Sequence, residues 1–303
     1  MRRYRIDGIE IADDAPQLAK MLADAFARKL RPLCLCKVDG VAMYIARLDG
    51  QHIVKRMPSS GARHDPACMA YEPPYELSGL GPLLGDAIRV DDEKGVAALR
   101  LDFPLAKAGS RSAPTAETST CDTVKNVSKR LSLRALLHYL WQEGELTEWT
   151  SAWAGKRGWG KVRASLIYAG KRMSISSGPL SEVLFVPEVF HPDDKAAIAA
   201  RRASEFTALA HGGAGKRKLK ILIAEVKEFA EGRSGRRLIV KHMPDYPLVI
   251  EAETWKRVEK VFATEFAFWN ADQALHLVTI ATFGLNAAGL AVVEEMALMV
   301  VTE

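Results

Sequence analysis

The chain is poor in cysteine and has no long unbroken apolar run. Four cysteines in 303 residues are too few to staple a protein of this length, which excludes a disulfide scaffold. The most apolar stretch, 274–293, is interrupted by His276, Thr279, Thr282, Gly284, Asn286 and Gly289. A membrane-spanning helix wants about 20 predominantly apolar residues. The stretch reads instead as a strand (His276–Phe283), a Gly/Asn turn and a second apolar element, so no membrane partner is expected. Arg2, Arg3 and Arg5 follow Met1, but no apolar segment stands behind them, which argues against a secretory signal. The expected location is therefore a reducing cytoplasm, where cysteines grouped with histidine point to metal.

What is there is ordinary globular material, 48% hydrophobic and 26% charged. The net charge of +5 is unevenly spread. Residues 122–173 carry ten basic and four acidic side chains, while the flanking stretches come out near neutral.

Hydrophobic periodicity divides the chain into an α+β protein with a β-rich segment over 1–105, a linker over 106–121, a helical segment over 122–177 and an α+β domain over 178–303. In the first segment, Tyr4–Ile11 reads as one strand. A helix capped by Asp14 follows, with Leu18, Met21, Leu22 and Phe26 on its apolar face. Val41–Ala46 and Gln51–Met57 read as hairpin strands joined through Asp49-Gly50. The run AKAGSRSAPTAETSTC at 106–121 is small and polar, as linkers are.

The middle segment reads as three short helices separated by glycines, the pattern of a helix-turn-helix. Leu133, Leu136, Leu137, Leu140 and Trp141 line the first; Thr147 caps the second; Trp159, Val162, Leu166 and Ile167 line the third. In the last segment one amphipathic helix is expected over Glu253–Trp269. The apolar run Met296–Val301 reaches the end of the sequence, so this last domain is expected to be part of a longer parent chain.

Chemistry is densest at Cys34-x-Cys36 and His64-x3-Cys68. Three thiolates and one imidazole form a common structural zinc set. Positions i and i+2 of an extended segment share a face, so Cys34 and Cys36 can reach one ion. Asp65 and Pro66 read as the cap and first residue of a helix that brings His64 and Cys68 together. A closed structural zinc site is expected, with Cys121 in the linker uninvolved.

The second signal is basic. Lys156, Arg157, Lys161 and Arg163 surround the start of the third middle helix, and Lys171 and Arg172 follow its end. A late helix of a helix-turn-helix enters the major groove, and basic residues there neutralise phosphates. These six residues are the candidate nucleic-acid contacts. A solvated face or an acidic protein partner accounts for the same charge.

Glu225-Val226-Lys227, at the end of the apolar strand Ile221–Ala224, resembles half of a metal-dependent nuclease site. Such a site needs an upstream strand-borne Asp, which the sequence does not offer. The run Gly212-Gly213-Ala214-Gly215-Lys216 follows a helix and lacks the Ser/Thr of a phosphate loop.

The combination of Cys34-Leu-Cys36, Cys68, LLHYLWQEGELTEW, GKRGWGKVR, LFVPEVF, EVKEF, KHMPDYPL and ATFG resembles an uncharacterised bacterial family noted for three cysteines near its N-terminus. The resemblance covers most of residues 33–303. It implies a setting on mobile genetic elements and supplies no catalytic residues. The expected function is zinc-containing nucleic-acid binding, without catalysis by this chain alone. A nuclease using Glu225 and Lys227, or a structural subunit of a larger assembly, are the alternatives.

Overall fold

The structure is a computed structural model that describes residues 2–48, 50–73, 80–91, 94–108, 129–147, 155, 157–210 and 216–302. It is mixed α+β and folds as two compact units, Met1–Leu99 and Arg100–Glu303. The expected middle segment and C-terminal domain thus lie within one unit. Among the described residues no helix is long and apolar enough to cross a membrane.

The first unit is built on a five-stranded antiparallel sheet in the order β2-β1-β3-β4-β5. Its strands are β1 (Arg3–Ile6), β2 (Ile9–Ala12), β3 (Leu33–Cys34), β4 (Val41–Leu48) and β5 (Gln51–Arg56), with α1 (Leu18–Ala27) between β2 and β3. The expected single strand over 4–11 is instead a hairpin. Asp7 and Gly8 both take positive φ, 50° and 78°, the Asp-Gly chemistry of a two-residue turn. Helix α1 begins at Leu18 after Gln17, not after Asp14, and no side chain caps it. It lays Leu22 and Ala25 against Tyr4, Ile6 and Ile45. A second hairpin, β6 (Ile88–Asp91) and β7 (Val96–Leu99), completes the unit.

The second unit opens with β8 (Ala106–Ala108), so the expected linker begins inside a strand; its residues 109–121 lie outside the described residues. Helix α2 (Leu133–Glu143) starts at Ser132, whose hydroxyl accepts from the Ala135 amide at 3.2 Å, and it buries Leu136, Leu137 and Leu140 completely. The expected second middle helix lies outside the described residues. Helix α3 (Trp159–Lys171) packs on α2 and runs into a short hairpin, β9 (Met173–Ile175) with β10 (Gly178–Pro179). Next come α4 (Leu180–Val183), β11 (Leu184–Phe185), α5 (Lys195–Ala210) and β12 (Lys216–Lys218), which pairs with β8.

The core of this unit is a closed barrel. Its strands are β13 (Lys220–Gly232), β14 (Gly235–Val240), β15 (Met243–Glu251), β16 (His276–Leu285) and β17 (Ala291–Val301). The pairing runs β13-β14-β15-β17-β16, and β16 then pairs back onto β13. Within this ring all contacts are antiparallel except β15 with β17, which is parallel, and outside it β11 pairs in parallel with β13, Leu184 with Ile221 and Phe185 with Leu222. Strand β13 serves β16 and β14 in turn, with β11 also paired to its first half. Lys220–Glu225 pair with β16, and Val226–Gly232 pair with β14, with a register shift between Val226 and Glu228.

Between β15 and β16 lie α6 (Ala252–Val261) and α7 (Ala263–Ala271), in place of the single expected helix. The backbone leaves helical geometry at Phe262 (φ −108°, ψ 26°), and that side chain is buried at the break. Ile221–Ala224 form an unbroken buried run because one face lines the barrel and the other is covered.

Candidate metal centre

Residues from three separate segments meet at one point of the first unit. Cys34 ends β3, and Cys36 follows two residues on, in a turn rather than in the strand. The turn, not strand alternation, brings the second thiol round. His64 follows a single 3₁₀ turn, Gly61–Arg63. The segment from His64 to Cys68 is a turn and not the expected helix start. Asp65 Oδ1 accepts from the Ala67 amide at 2.9 Å, and the Asp65 carbonyl accepts from the Cys68 amide at 2.8 Å.

The four donor atoms lie within 4.8 Å of one another. Cys34 Sγ is 3.7 Å from Cys68 Sγ; His64 Nδ1 is 3.4 Å from Cys36 Sγ and 3.8 Å from Cys68 Sγ. Cys34 and His64 are each 1% exposed, while Cys36 and Cys68 are half-buried. Val41, Met43 and Ala70 pack beside the thiols. Burial pushes the Cys34 thiol up to about 12 and raises that of Cys68. The Ala70 amide donates to Cys68 Sγ at 3.4 Å, an opposing stabilisation of the thiolate. Metal binding at such thiols expels their protons. This group could hold a metal ion, and it is the one cluster of three or more ligating side chains among the described residues.

An ion pair closes the loop that carries two of the donors. Arg56 Nη2, at the end of β5, lies 3.0 Å from Glu72 Oε2, and both side chains are buried. The loop from 57 to 71 therefore starts and ends at one buried contact. Gly61 fits beneath it, since a Cβ there would stand 2.7 Å from Glu72 Cβ and 2.9 Å from Arg56 Nη1. No local spacing in the sequence signals this pair.

The candidate nucleic-acid residues are not gathered on one open face. Arg157 donates to the Leu146 carbonyl, and Arg163 Nε donates to the Val186 carbonyl at 3.0 Å. Lys161 and Arg172 are half-buried, Lys171 is exposed, and Lys156 lies outside the described residues. Cys121 and the glycine run 212–215 also lie outside them. Glu225 is half-buried and meets Lys241 Nζ at 2.5 Å and His276 Nδ1, while Lys227 is exposed. Its observed partners are thus a cation and an imidazole, where the nuclease alternative needs a second carboxylate.

The class defined so far is an α+β protein with a Cys3His cluster in one unit and a closed five-stranded barrel in the other. Over residues 4–303 the chain matches the model of a family described as a protein of unknown function, DUF1173, and it belongs to that family. No curated protein and no solved structure matches it.

Proposed function

We propose that Cys34, Cys36, His64 and Cys68 hold a structural zinc ion in a protein that binds nucleic acid. The donor spacing carries the zinc reading. Zn–S bonds near 2.3 Å and Zn–N bonds near 2.0–2.1 Å in a tetrahedron set S···S edges of about 3.8 Å and S···N edges of about 3.6 Å. Three of the six separations, at 3.7, 3.4 and 3.8 Å, match these edges, and all six fall within 4.8 Å. Four protein donors fill the tetrahedron and leave no open position for a substrate, so the role is structural. Arg2 and Arg3 line a cavity of about 280 Å³ beside the thiols, where they offset the negative charge of three thiolates on one divalent ion. Purified protein is expected to carry one zinc per chain by elemental analysis. Cys36→Ser should lower that content and loosen residues 33–70 first. A metal-free protein whose four donors all react with modifying reagents refutes the assignment.

The nucleic-acid reading rests on the barrel. Its order, β13-β14-β15-β17-β16 closing onto β13, has one parallel pair and helices between the third and fourth strands. That is the order of the oligonucleotide/oligosaccharide-binding barrel, a likeness of topology only. The surplus positive charge of residues 122–173 lies in the same unit. Because Arg157 and Arg163 are engaged with backbone carbonyls, Lys171 is the better phosphate contact. We place the protein, on the family resemblance, in the biology of mobile elements. Anisotropy titrations with single-stranded DNA, duplex DNA and RNA at two salt concentrations test this. Lys171→Ala should lower the slope of log affinity against log salt by about 0.7–0.9. Arg163→Ala should cost stability instead. No binding to any of the three at low salt refutes the reading.

A further inference from the structure

A cavity of about 140 Å³ lies on the outside of the barrel, with two tryptophans in its wall. Trp141, Arg157, Trp159, Glu225, His276 and Thr302 are among the residues that line it. We infer that it is a binding site for one single-ring nucleobase bearing an exocyclic amino group, as cytosine does.

Size is the first argument. A protein cavity of about 150 Å³ holds one benzene-sized ring. The two tryptophans are the second. Trp159 stacks on His242 with centroids 5.3 Å apart and planes 14° from parallel, and its Nε1 donates to the Pro187 carbonyl at 2.8 Å. The indole is therefore fixed in place before any ligand arrives. Trp141 is 8% exposed, held by burial in the packing of α2. Stacking of a base on such a platform contributes about 1–3 kcal/mol.

Hydrogen-bonding chemistry is the third. Glu225 Oε1 takes both Lys241 Nζ and His276 Nδ1. In the neutral tautomer whose Nδ1 donates to this carboxylate, Nε2 is left as an acceptor. Glu225 Oε2 and His276 Nε2 make no hydrogen bond among the described residues, and both side chains line the cavity. Two acceptors call for an N–H₂ donor, and a carboxylate accepting from cytosine N4 is a known pairing. Uracil offers a carbonyl at that position. Charge decides against a quaternary ammonium, the other usual guest of aromatic walls. Arg157 stands in the wall, and Lys241 already sits on the only carboxylate the argument uses.

This inference rests on the nucleic-acid reading for its biological sense but is tested without a strand. Tryptophan emission is followed as cytidine and uridine 5′-monophosphate are added separately to the full chain. Cytidine monophosphate should quench it and bind at least about fivefold tighter than uridine monophosphate, the lower end of what one good base pairing discriminates. Glu225→Gln should remove that preference. If this variant does not fold, ligand-observed NMR of the wild-type chain with both nucleotides decides by the same ratio. Equal binding of the two nucleotides overturns the inference, as does unchanged preference in folded Glu225→Gln. No nucleotide binding alongside intact strand binding overturns the cavity site and leaves the nucleic-acid reading standing. Selective nucleotide binding without strand binding supports the cavity and refutes that reading.

Discussion

Removing Glu72 tests whether the buried ion pair organises the metal loop. In Glu72→Ala the Arg56 guanidinium, 2% exposed, loses the carboxylate that stands 3.0 Å from it. Breaking a buried pair from one side costs roughly 3–5 kcal/mol, because the remaining charge is uncompensated. The two ends of the 57–71 loop are no longer tied, so His64 and Cys68 lose their fixed approach to Cys34 and Cys36. Two effects are expected: stability of Met1–Leu99 falls by about 3–5 kcal/mol, and zinc passes to a competing chelator faster. All six tryptophans lie after residue 100, so tryptophan emission reports the other unit. The assay is therefore hydrogen exchange by mass spectrometry on peptides spanning 50–72, with zinc transfer read by a colorimetric chelator. A control separates charge from geometry. Arg56→Met with Glu72→Leu removes both charges, and apolar replacement of a buried pair is often neutral in stability. If the pair is a clamp, the double variant keeps its stability but still loses zinc faster. A loss below about 1 kcal/mol in Glu72→Ala, the range of an exposed pair, with unchanged zinc transfer refutes the reasoning.

Other consequences follow from burial and charge. Leu137→Ala, at a fully buried position of α2, should destabilise the second unit by about 2–5 kcal/mol in urea denaturation followed by tryptophan emission. The Arg201 guanidinium holds the Glu188 carboxyl below its ordinary range, with a bidentate contact at 2.9 and 2.6 Å. A depressed carboxylate contributes stability above its unfolded value of about 4.3 and loses it as pH falls through the folded value. Glu188→Gln should therefore flatten the acid limb of the second unit's stability curve and leave it unchanged in shape above about pH 5.

Local chemistry made part of this protein legible. The stripe of Leu133, Leu136, Leu137 and Leu140 gave α2, and β-rich runs flanking Asp49-Gly50 gave β4 and β5. The four candidate donors were readable because thiols and imidazoles are scarce in the chain and are the usual ligands of a structural site, whatever the path between them. Long-range pairing was not legible. His276 reaches Glu225 across 51 residues only because β16 pairs with β13. Arg56 and Glu72 meet because a loop returns on itself, and charged residues at that distance carry no periodic mark. Two local misreadings have local causes. Apolar alternation across 4–11 concealed the Asp7-Gly8 turn, and continuous amphipathic spacing across 253–269 concealed the break at Phe262.

Closing β16 onto β13 also sets an order of events during synthesis. The first half of β13 can pair with β11 as it emerges but keeps its other edge open until β16 follows, and β15 waits longer still for its parallel partner β17. For that interval the nascent chain presents two strand edges with open amides and carbonyls, the groups through which chains join one another. A chain halted before His276 would keep both edges. Its expected fate is association with other copies rather than a smaller soluble fold, so shortened versions of this unit should retain every strand through Val301.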